Sequence, residues 1–185
     1  VLLVFFLLDI RSLLPEKLAL RFASPGSMAL AAVGIWALAV VIWQQEPLYH
    51  TYFSPGPYLP NEVHYPFSDA TRFDIGSQYL IMGRGMLNGS FTDRPFLYLF
   101  YGLLHLLAGQ SYDQVMFAQI VFLSLIPVFL FLIGRQLLSP VTGIALGVMG
   151  VLHGKNAIAS ASTAGIINSK VIMSELPTAL LLVML

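Results

Sequence analysis

Two long apolar runs constrain this chain more than any other feature of its sequence. Neither Met28–Trp43 nor Val115–Gly134 contains a charged residue. With their flanking positions, both runs approach the roughly 17–25 residues that a helix needs to cross a bilayer. The chain is 57% hydrophobic and only 10% charged, whereas about a quarter of the residues in a soluble domain carry a charge. The sequence therefore predicts an all-α, polytopic transmembrane helical protein in contact with the lipid bilayer.

The remaining composition excludes several kinds of site. Nine basic and nine acidic residues cancel, so the total charge gives no indication of a nucleic-acid partner. The absence of cysteine excludes disulfides, thiolate metal ligands and a cysteine nucleophile. The histidines lack the i, i+4 spacing of a helical zinc site; they are His50, His64, His105 and His153.

The basic residues predict the orientation of the spans. Arg11, Lys17 and Arg21 precede the first run and Arg135 follows the second, and cytoplasmic loops are enriched in Lys and Arg. Because both ends of the chain lie in apolar runs, we expect a fragment of a longer protein. The predicted divisions are 1–27 as a cytoplasmic-side segment after a truncated hydrophobic run, 28–43 as a transmembrane helix, 44–112 as an extracytoplasmic loop with interfacial helices, and 113–185 as three further transmembrane helices, the last truncated.

Pro95–Ala108 is apolar but too short for an ordinary span, so we predict that it lies on the outer membrane surface. One helical face would carry Phe96, Phe100, Leu103, Leu104 and Leu107. A neighbouring stripe of Tyr98, Tyr101 and His105 has the amphipathic character of the headgroup region. We therefore expect that stripe to face the headgroups.

Four glycines predict close helix packing in the run that begins at Val141. Gly143 with Gly147, and Gly150 with Gly154, form two small-xxx-small patterns. After a polar outer connection over Lys155–Lys170, the sequence predicts another span from Val171, with Glu175 one turn inside it. A carboxylate inside a membrane is a functional candidate. It could line an aqueous cavity, or it could snorkel at the interface.

The long loop carries the candidate catalytic carboxylate. Ser68 is a favourable N-cap residue and Asp69 would occupy the first turn of a short amphipathic helix. Asp69 and Asp74 would point roughly 140° apart on that helix, so they do not form an acid/base couple. Asp69 alone could act as a general base toward a hydroxyl or ligate a divalent cation. The alternative is an exposed carboxylate that interacts with the helix dipole.

Basic residues near the predicted outer surface are candidates for binding phosphate. Arg94 precedes the interfacial segment, where its guanidinium could hold a lipid phosphate. Lys155 and Lys170 are weaker candidates of the same kind, and for all three the alternative is an ordinary headgroup contact. Asn88-Gly89-Ser90 matches the glycosylation acceptor triplet, which is common by chance.

The order of these features resembles the GT-C membrane glycosyltransferases, particularly the protein-mannosyltransferase and aminoarabinose-transferase-like group. The resemblance covers most of residues 28–185. It rests on four motifs, Ser68-Asp69-Ala70-Thr71-Arg72-Phe73-Asp74, Arg94-Pro95-Phe96-Leu97-Tyr98, Ile133-Gly134-Arg135-Gln136-Leu137 and Ser174-Glu175. The chain departs from the protein mannosyltransferases at Ala70, where the family often has Glu, and at Arg94-Pro95-Phe96, where they carry His-Pro-Pro. Protein O-mannosylation is therefore not the expected subclass.

The resemblance implies a hexosyl or pentosyl transferase that uses a polyprenyl-phosphate-linked sugar. The sugar would pass to an unidentified acceptor hydroxyl at the outer membrane face, with inversion. The family role of the loop carboxylate falls on Asp69, as the base or as the ligand of a divalent cation, the one cofactor considered. Arg94 and Lys155 would bind the donor phosphate, while Asp74 and Glu175 would line the cavity. The expected location is the plasma membrane of a prokaryote, or the endoplasmic reticulum of a eukaryote.

Two other classes of protein fit part of the sequence. A transporter or channel would also have a polytopic composition, a glycine-rich helix and an intramembrane Glu175. Against this, we detect no repeat, and the chain devotes a long loop to one side. A scaffold subunit without chemistry is the third alternative. Because the family's C-terminal donor-binding spans are absent from this sequence, we expect the fragment alone to be inactive.

Overall fold

The structure is a computed structural model that describes residues 24–57, 60, 62–85, 94–164 and 167–184. The hydrophobic run 1–8, the basic residues Arg11, Lys17 and Arg21, and the triplet Asn88-Gly89-Ser90 lie outside these ranges. Within them every named element is a helix, which confirms the predicted all-α class. The helices are α1 Pro25–Gln45, α2 Asp69–Ile81, α3 Pro95–Ala108, α4 Tyr112–Leu123, α5 Leu125–Leu137, α6 Pro140–Ala159, α7 Ala161–Ala164 and α8 Glu175–Met184.

Three helical stretches are long and apolar enough to span a membrane. They are α1, α4 with α5 taken together, and α6. The α4–α5 stretch is interrupted at Ser124. Pro127 has no N–H to donate to the carbonyl of Leu123, which explains an interruption at this level. By contrast, α3 and α8 are shorter apolar helices.

Serine caps and prolines set where the long helices begin. The hydroxyl of Ser24 accepts the Ser27 N–H at 3.2 Å, and the hydroxyl of Ser139 accepts the Thr142 N–H at 3.1 Å. Each cap precedes a proline in the first helical position, where the missing N–H costs nothing. As a result α1 and α6 begin slightly before the apolar runs that predicted them.

The glycines of α6 lie where other helices approach most closely. A Cβ atom added to Gly143 would lie 2.5 Å from the carbonyl oxygen of Phe131, and one added to Gly147 would lie 2.8 Å from Cδ1 of Ile35. Gly150 packs in the same way against α5, and Gly154 against the indole of Trp43 on α1. The close packing predicted from the small-xxx-small patterns is therefore confirmed.

These contacts also fix the directions of the long helices. Gly147 meets Ile35 and Gly154 meets Trp43, so α1 and α6 run parallel. Toward α5 the order is reversed, since Gly143 meets Arg135 and Gly150 meets Pro127. Consequently α4–α5 runs antiparallel to both. The C-terminal ends of α1 and α6 lie at the same end of the bundle as the start of α4, and we call this the Glu46 end.

The aromatic stripe of α3 faces the protein interior, so the prediction that it faces the headgroups is wrong. Tyr98 and Tyr101 are fully buried and His105 is 3% exposed. The opposite side of α3 is the exposed one, with Phe96 76% and Leu107 64% exposed. The stripe turns inward because the polar atoms of Tyr101 and His105 find hydrogen-bond partners there.

Two boundaries near the C-terminal part of the described chain also differ from prediction. The helix predicted to start at Val171 begins at Glu175 instead, because 171–173 is a buried, non-helical segment. Glu175 is therefore the exposed first residue of α8 and not a group one turn inside a span. Helix α6 continues to Ala159, so Lys155 belongs to its last turns and not to a loop.

We expect Gly143→Ala to destabilise the bundle by about 1–3 kcal/mol, because the new methyl group would meet backbone atoms that cannot move aside. The measurement is thermal unfolding of the purified protein in detergent. Gly34→Ala is the matched control, since a Cβ at Gly34 has no heavy atom within 4 Å. Equal unfolding temperatures for the two variants would contradict the packing.

Candidate functional site

A buried segment of non-helical chain, residues 168–173, holds the Glu46 end together. The side-chain amide of Gln119 donates to the carbonyls of Ser169 at 2.7 Å and Val171 at 3.1 Å. The hydroxyl of Tyr101 donates to the Met173 carbonyl at 3.1 Å and accepts the Met173 N–H at 3.0 Å. Buried backbone groups require such partners. Side chains of α3 and α4 therefore supply the hydrogen bonds that these backbone groups would make with one another in a helix.

Lys170 joins the same segment to the end of α1. Its ammonium donates to the Gln44 carbonyl at 3.2 Å and also to the Glu46 carbonyl. A cation at a helix C-terminus meets the negative end of the helix dipole. Burial lowers the pKa of Lys170, although the charges of Glu46 and Asp113 oppose the shift. Lys170 thus has a structural partner set and does not point toward a phosphate site.

Lys155 lies near this end too, but in a different cluster from Arg94. Its ammonium is 3.6 Å from a carboxylate oxygen of Glu46, and its side chain is 46% exposed. Lys155, which the sequence suggested as a phosphate ligand, thus has Glu46 as its partner. We therefore base the candidate site on Arg94 alone.

Arg94 connects three helices. Its Nη1 donates to the hydroxyl of Ser174 at 2.8 Å, and its guanidinium lies over the ring of Phe73, 5.0 Å from the ring centroid. The Ser174 hydroxyl in turn donates to the Glu175 carboxylate at 3.3 Å. Arg94 immediately precedes α3 and Ser174 immediately precedes α8. The N-termini of α3 and α8 therefore meet beside Phe73 on α2. The structure thus brings together Arg94 and Glu175, two residues singled out in the sequence.

Asp69 begins α2 and is exposed. It lies one helical turn before Phe73, and residues at this spacing are neighbours on a helix surface. Asp69 therefore belongs to the same side of the molecule as the Arg94 guanidinium. Together these residues define the candidate site, which consists of Asp69, Phe73, Arg94, Ser174 and Glu175.

The backbone before Asp69 is strained. Ser68 has φ 56° and ψ −127°, a left-handed conformation that is uncommon for residues other than glycine. Ser68 occupies the predicted N-cap position and Asp69 the first turn, but the Ser68 hydroxyl makes no capping hydrogen bond. Instead, the Thr71 hydroxyl holds the turn by donating to the Pro66 carbonyl at 2.7 Å. Strain of this kind concentrates at functional sites.

For the predicted metal site, the structure offers the carboxylate of Asp69 but no cluster of ligands among the described residues. In the part of the chain that the structure describes, no three His, Asp or Glu side chains are grouped so that they could hold a metal ion. Asp69 would supply one carboxylate, whereas a dedicated Ca²⁺ site in a protein supplies several oxygen ligands. A divalent cation at Asp69 stays a prediction, and no step below depends on it.

Asp74 lies on the buried side of α2, inside its contact with α3 and not on a cavity wall as predicted. Its Oδ1 is 2.9 Å from Nε2 of His105, and its Oδ2 accepts a hydrogen bond from the Gln78 amide at 2.7 Å. The sequence did indicate that Asp69 and Asp74 point apart, and one is exposed while the other is buried. The two carboxylates thus have separate roles.

An apolar groove of about 280 Å³ runs between α3 and α8. It begins within two residues of Arg94 and Glu175. Its walls are formed by apolar side chains of the two helices, among them Phe96, Leu99, Phe100, Leu103, Pro177 and Leu181. A ligand whose charged group binds Arg94 could therefore place an apolar tail in this groove.

Sequence reasoning missed the hydroxyl of Ser174, which links Arg94 to Glu175, and the partners of Tyr101 and His105. The spacing of Tyr98, Tyr101 and His105 marked them as one helical face. A polar stripe on an otherwise apolar helix fits an interior contact as well as a headgroup contact. Only the identity of the neighbouring segment distinguishes the two.

Comparisons with family models, with curated proteins and with solved structures find no match for this chain. The functional conclusion therefore rests on the site and on the physical chemistry of its residues.

We expect Tyr101→Phe to lower stability by about 1–3 kcal/mol, because the Met173 N–H and carbonyl would lose their buried partner. Thermal unfolding measures the change, and amide hydrogen exchange of residues 168–174 locates it. The control is Tyr52→Phe, since the Tyr52 side chain is 66% exposed. Unchanged exchange in the Tyr101 variant would contradict the role of its hydroxyl.

Proposed function

We propose that the protein is a multi-pass membrane protein in which α1, α4–α5 and α6 cross the bilayer. The antiparallel run of α4–α5 against α1 supports this arrangement. If α3 crossed as well, α4 would begin at the opposite end of the bundle. In the proposed topology α3 lies at the outer surface, the Glu46 end faces outward and Arg135 faces the cytoplasm, as the positive-inside tendency requires.

We further propose that the candidate site belongs to a glycosyltransferase that uses a polyprenyl-phosphate-linked sugar. The observation that carries this proposal is the hydrogen bond between Arg94 and Ser174. It joins an arginine and two helix N-termini at one end of three membrane-length helices, and the contact of Arg94 with Phe73 adds α2, whose first residue is Asp69. A donor with a lipid tail requires a site of this kind at the membrane surface.

Arg94 is the proposed ligand of the donor phosphate. A guanidinium matches the oxygens of a phosphate in geometry and charge. The N-termini of α3 and α8 add partial positive charge at the same point. The apolar groove between these helices would accept the first part of the polyprenyl chain. Lys155, which pairs with Glu46, has no role in this mechanism.

The proposed reaction is a single displacement. The acceptor hydroxyl attacks the anomeric carbon while the Asp69 carboxylate takes its proton, and a new C–O bond forms. The bond between the anomeric carbon and the phosphate oxygen breaks, and its electron pair leaves with the polyprenyl phosphate. Arg94 stabilises the charge that develops on this leaving group. One displacement inverts the anomeric centre. The Ser174 hydroxyl orients the Arg94 guanidinium during this step.

The location proposed for this activity is the outer face of a prokaryotic plasma membrane, or the lumenal face of the endoplasmic reticulum. The sugar is a hexose or pentose, and the acceptor offers a hydroxyl group. The donor panel of the experiment below identifies the sugar.

Asp69→Asn is expected to reduce transfer by about 10²–10⁴-fold, the usual contribution of a general base. The measurement is transfer from a panel of radiolabelled polyprenyl-phosphate sugars, in membranes containing the protein expressed from its complete gene. Glu62→Gln is the control, because Glu62 is another exposed carboxylate of the same loop. Normal transfer by the Asp69 variant would overturn its role. Absence of transfer by the wild type with every donor would favour a transporter.

Arg94→Lys is expected to raise the KM for the donor by about 10- to 100-fold, because an ammonium keeps the charge but loses the planar pair of donors. The same assay with varied donor concentration measures it. Arg84→Lys provides the control, since Arg84 contacts Tyr79 and not Phe73. An unchanged KM would exclude Arg94 from phosphate binding.

A further inference from the structure

Asp74 and His105 form a polar pair inside the contact between α2 and α3. The His105 side chain is 1% exposed and that of Asp74 is 13% exposed. The apolar part of the same contact includes Ala70 and Phe73 from α2, and Tyr98 from α3. Neither Asp74 nor His105 is a member of the candidate site, so the proposed mechanism does not use them.

The geometry assigns hydrogens to both ring nitrogens of His105. Nδ1 lies 3.0 Å from the carbonyl oxygen of Gly109, and a carbonyl can only accept. Nε2 lies 2.9 Å from Oδ1 of Asp74. The other oxygen of Asp74 accepts from Gln78, so the contacts of Asp74 suit an ionised carboxylate, which only accepts. Opposite an ionised Asp74, His105 faces two acceptors, donates from both nitrogens and carries a positive charge.

Gly109 holds the ring in this position. It follows α3 with φ 85° and donates its N–H to the His105 carbonyl at 2.8 Å. This left-handed conformation, which favours glycine, turns the Gly109 carbonyl back toward the imidazole. The contact with the Gly109 carbonyl at the end of α3 therefore fixes the orientation of the His105 ring, and only Nε2 is directed at α2.

The contact with α3 is the main one that α2 makes among the described helices. The position of α2 therefore depends mainly on this contact, and Asp69 is the first residue of α2. A buried ion pair contributes little net stability but strongly disfavours arrangements that separate its members. Such a pair is suited to fixing one relative position of two helices.

We propose that ionised Asp74 and protonated His105 lock α2 in one position on α3 and are positioning residues for Asp69. The second part rests on the proposed function, whereas the lock does not. Neither residue touches substrate. They act by holding the Asp69 turn beside Arg94, where the donor phosphate would bind.

Charges around the pair agree with this assignment. Burial is the largest influence on His105 and lowers its pKa, but the hydrogen bonds with Asp74 and Gly109 and the charge of Asp74 together raise it above the ordinary value. Tyr101 on α3 and Tyr112 on α4 also lie within electrostatic range of Asp74. Burial raises the pKa of Tyr101 further, so it stays neutral over the range in which a histidine titrates.

The first test determines the protonation of His105. With histidine labelled by ¹⁵N, the protein has four imidazoles, and His105→Gln identifies the signal of this one. Over a pH titration we expect His105 to lose its second ring proton at a higher pH in the wild type than in Asp74→Asn. The same titration midpoint in both proteins would overturn the ion pair. Because the folded pKa is raised, the pair stabilises the protein below about pH 6.5 and its contribution is lost as the pH rises through the folded value.

The second test measures the position of α2 without reference to activity. The chain has no cysteine, so spin labels can be attached at Met82→Cys, just after α2, and Leu137→Cys, at the end of α5. Both sites are exposed. Asp74→Asn and His105→Gln should each broaden the distance distribution between the labels, and the double variant should broaden it no further. A distribution that stays as narrow as the wild type would overturn the lock.

His64→Gln is the matched control for both variants. It removes an exposed histidine–carboxylate pair, in which His64 lies 3.1 Å from Asp113. This control should leave the label distances unchanged. Broadening equal to that of His105→Gln would overturn the specific role of the buried pair.

The third test separates positioning from the proposed function. In the transfer assay, Asp74→Asn should lower kcat by up to about 10²-fold, as expected for a small misplacement of a reacting group. The donor KM should stay unchanged, because the hydrogen bond between Arg94 and Ser174 does not involve α2. An unchanged kcat with broadened label distances would retain the lock and overturn its positioning of Asp69. If the wild type transfers no sugar, the proposed function and the positioning role fail together, while the protonation and distance results still decide the lock.

Discussion

The backbone of residues 168–173 is buried without being helical, and the Glu46 end of the protein is built around satisfying it. Gln119 from α4 and Tyr101 from α3 supply its hydrogen bonds, and Lys170 extends from it to the last carbonyls of α1. A buried peptide group without a partner costs roughly as much as a lost hydrogen bond. These side chains therefore determine which helices can be neighbours, and the order of chain segments at this end follows from them.

The two ends of the helical bundle use different kinds of contact. Where α6 crosses α5 and α1, glycines at Gly143 and Gly147 bring backbones together and the contact is apolar. Toward the Glu46 end the contacts become polar and specific, with Tyr101, His105 and Arg94 each bonded to a particular partner. Close packing fixes how near the helices lie, whereas these hydrogen bonds fix which residues face one another. The candidate site lies on the second, more specific part.

The proposed chemistry follows from that specificity. The buried segment ends at Ser174, and its hydroxyl meets Arg94, so the interactions that satisfy the segment also deliver a helix N-terminus to the arginine. On the other side, α2 reaches the same point through its contact with α3. Asp69 and Arg94 are separated in sequence by a loop, but Arg94 lies over Phe73, which is one helical turn from Asp69. An exposed carboxylate and a cation at the rim of apolar helices are what transfer from a lipid-linked donor requires.

The helices were predictable from the sequence because helix formation depends mainly on signals within a few residues. Apolar runs correctly predicted the all-α class and the long helices, and the spacing of the glycines predicted the close approach of α6 to its neighbours. The same local signals indicated that Asp69 and Asp74 face apart. Three features could not be predicted in this way: the Tyr101 and His105 side of α3 turns inward, Glu175 begins a helix, and Lys155 pairs with Glu46. Each of these outcomes depends on a partner distant in sequence, and a polar side chain takes whichever partner the fold brings within hydrogen-bonding distance.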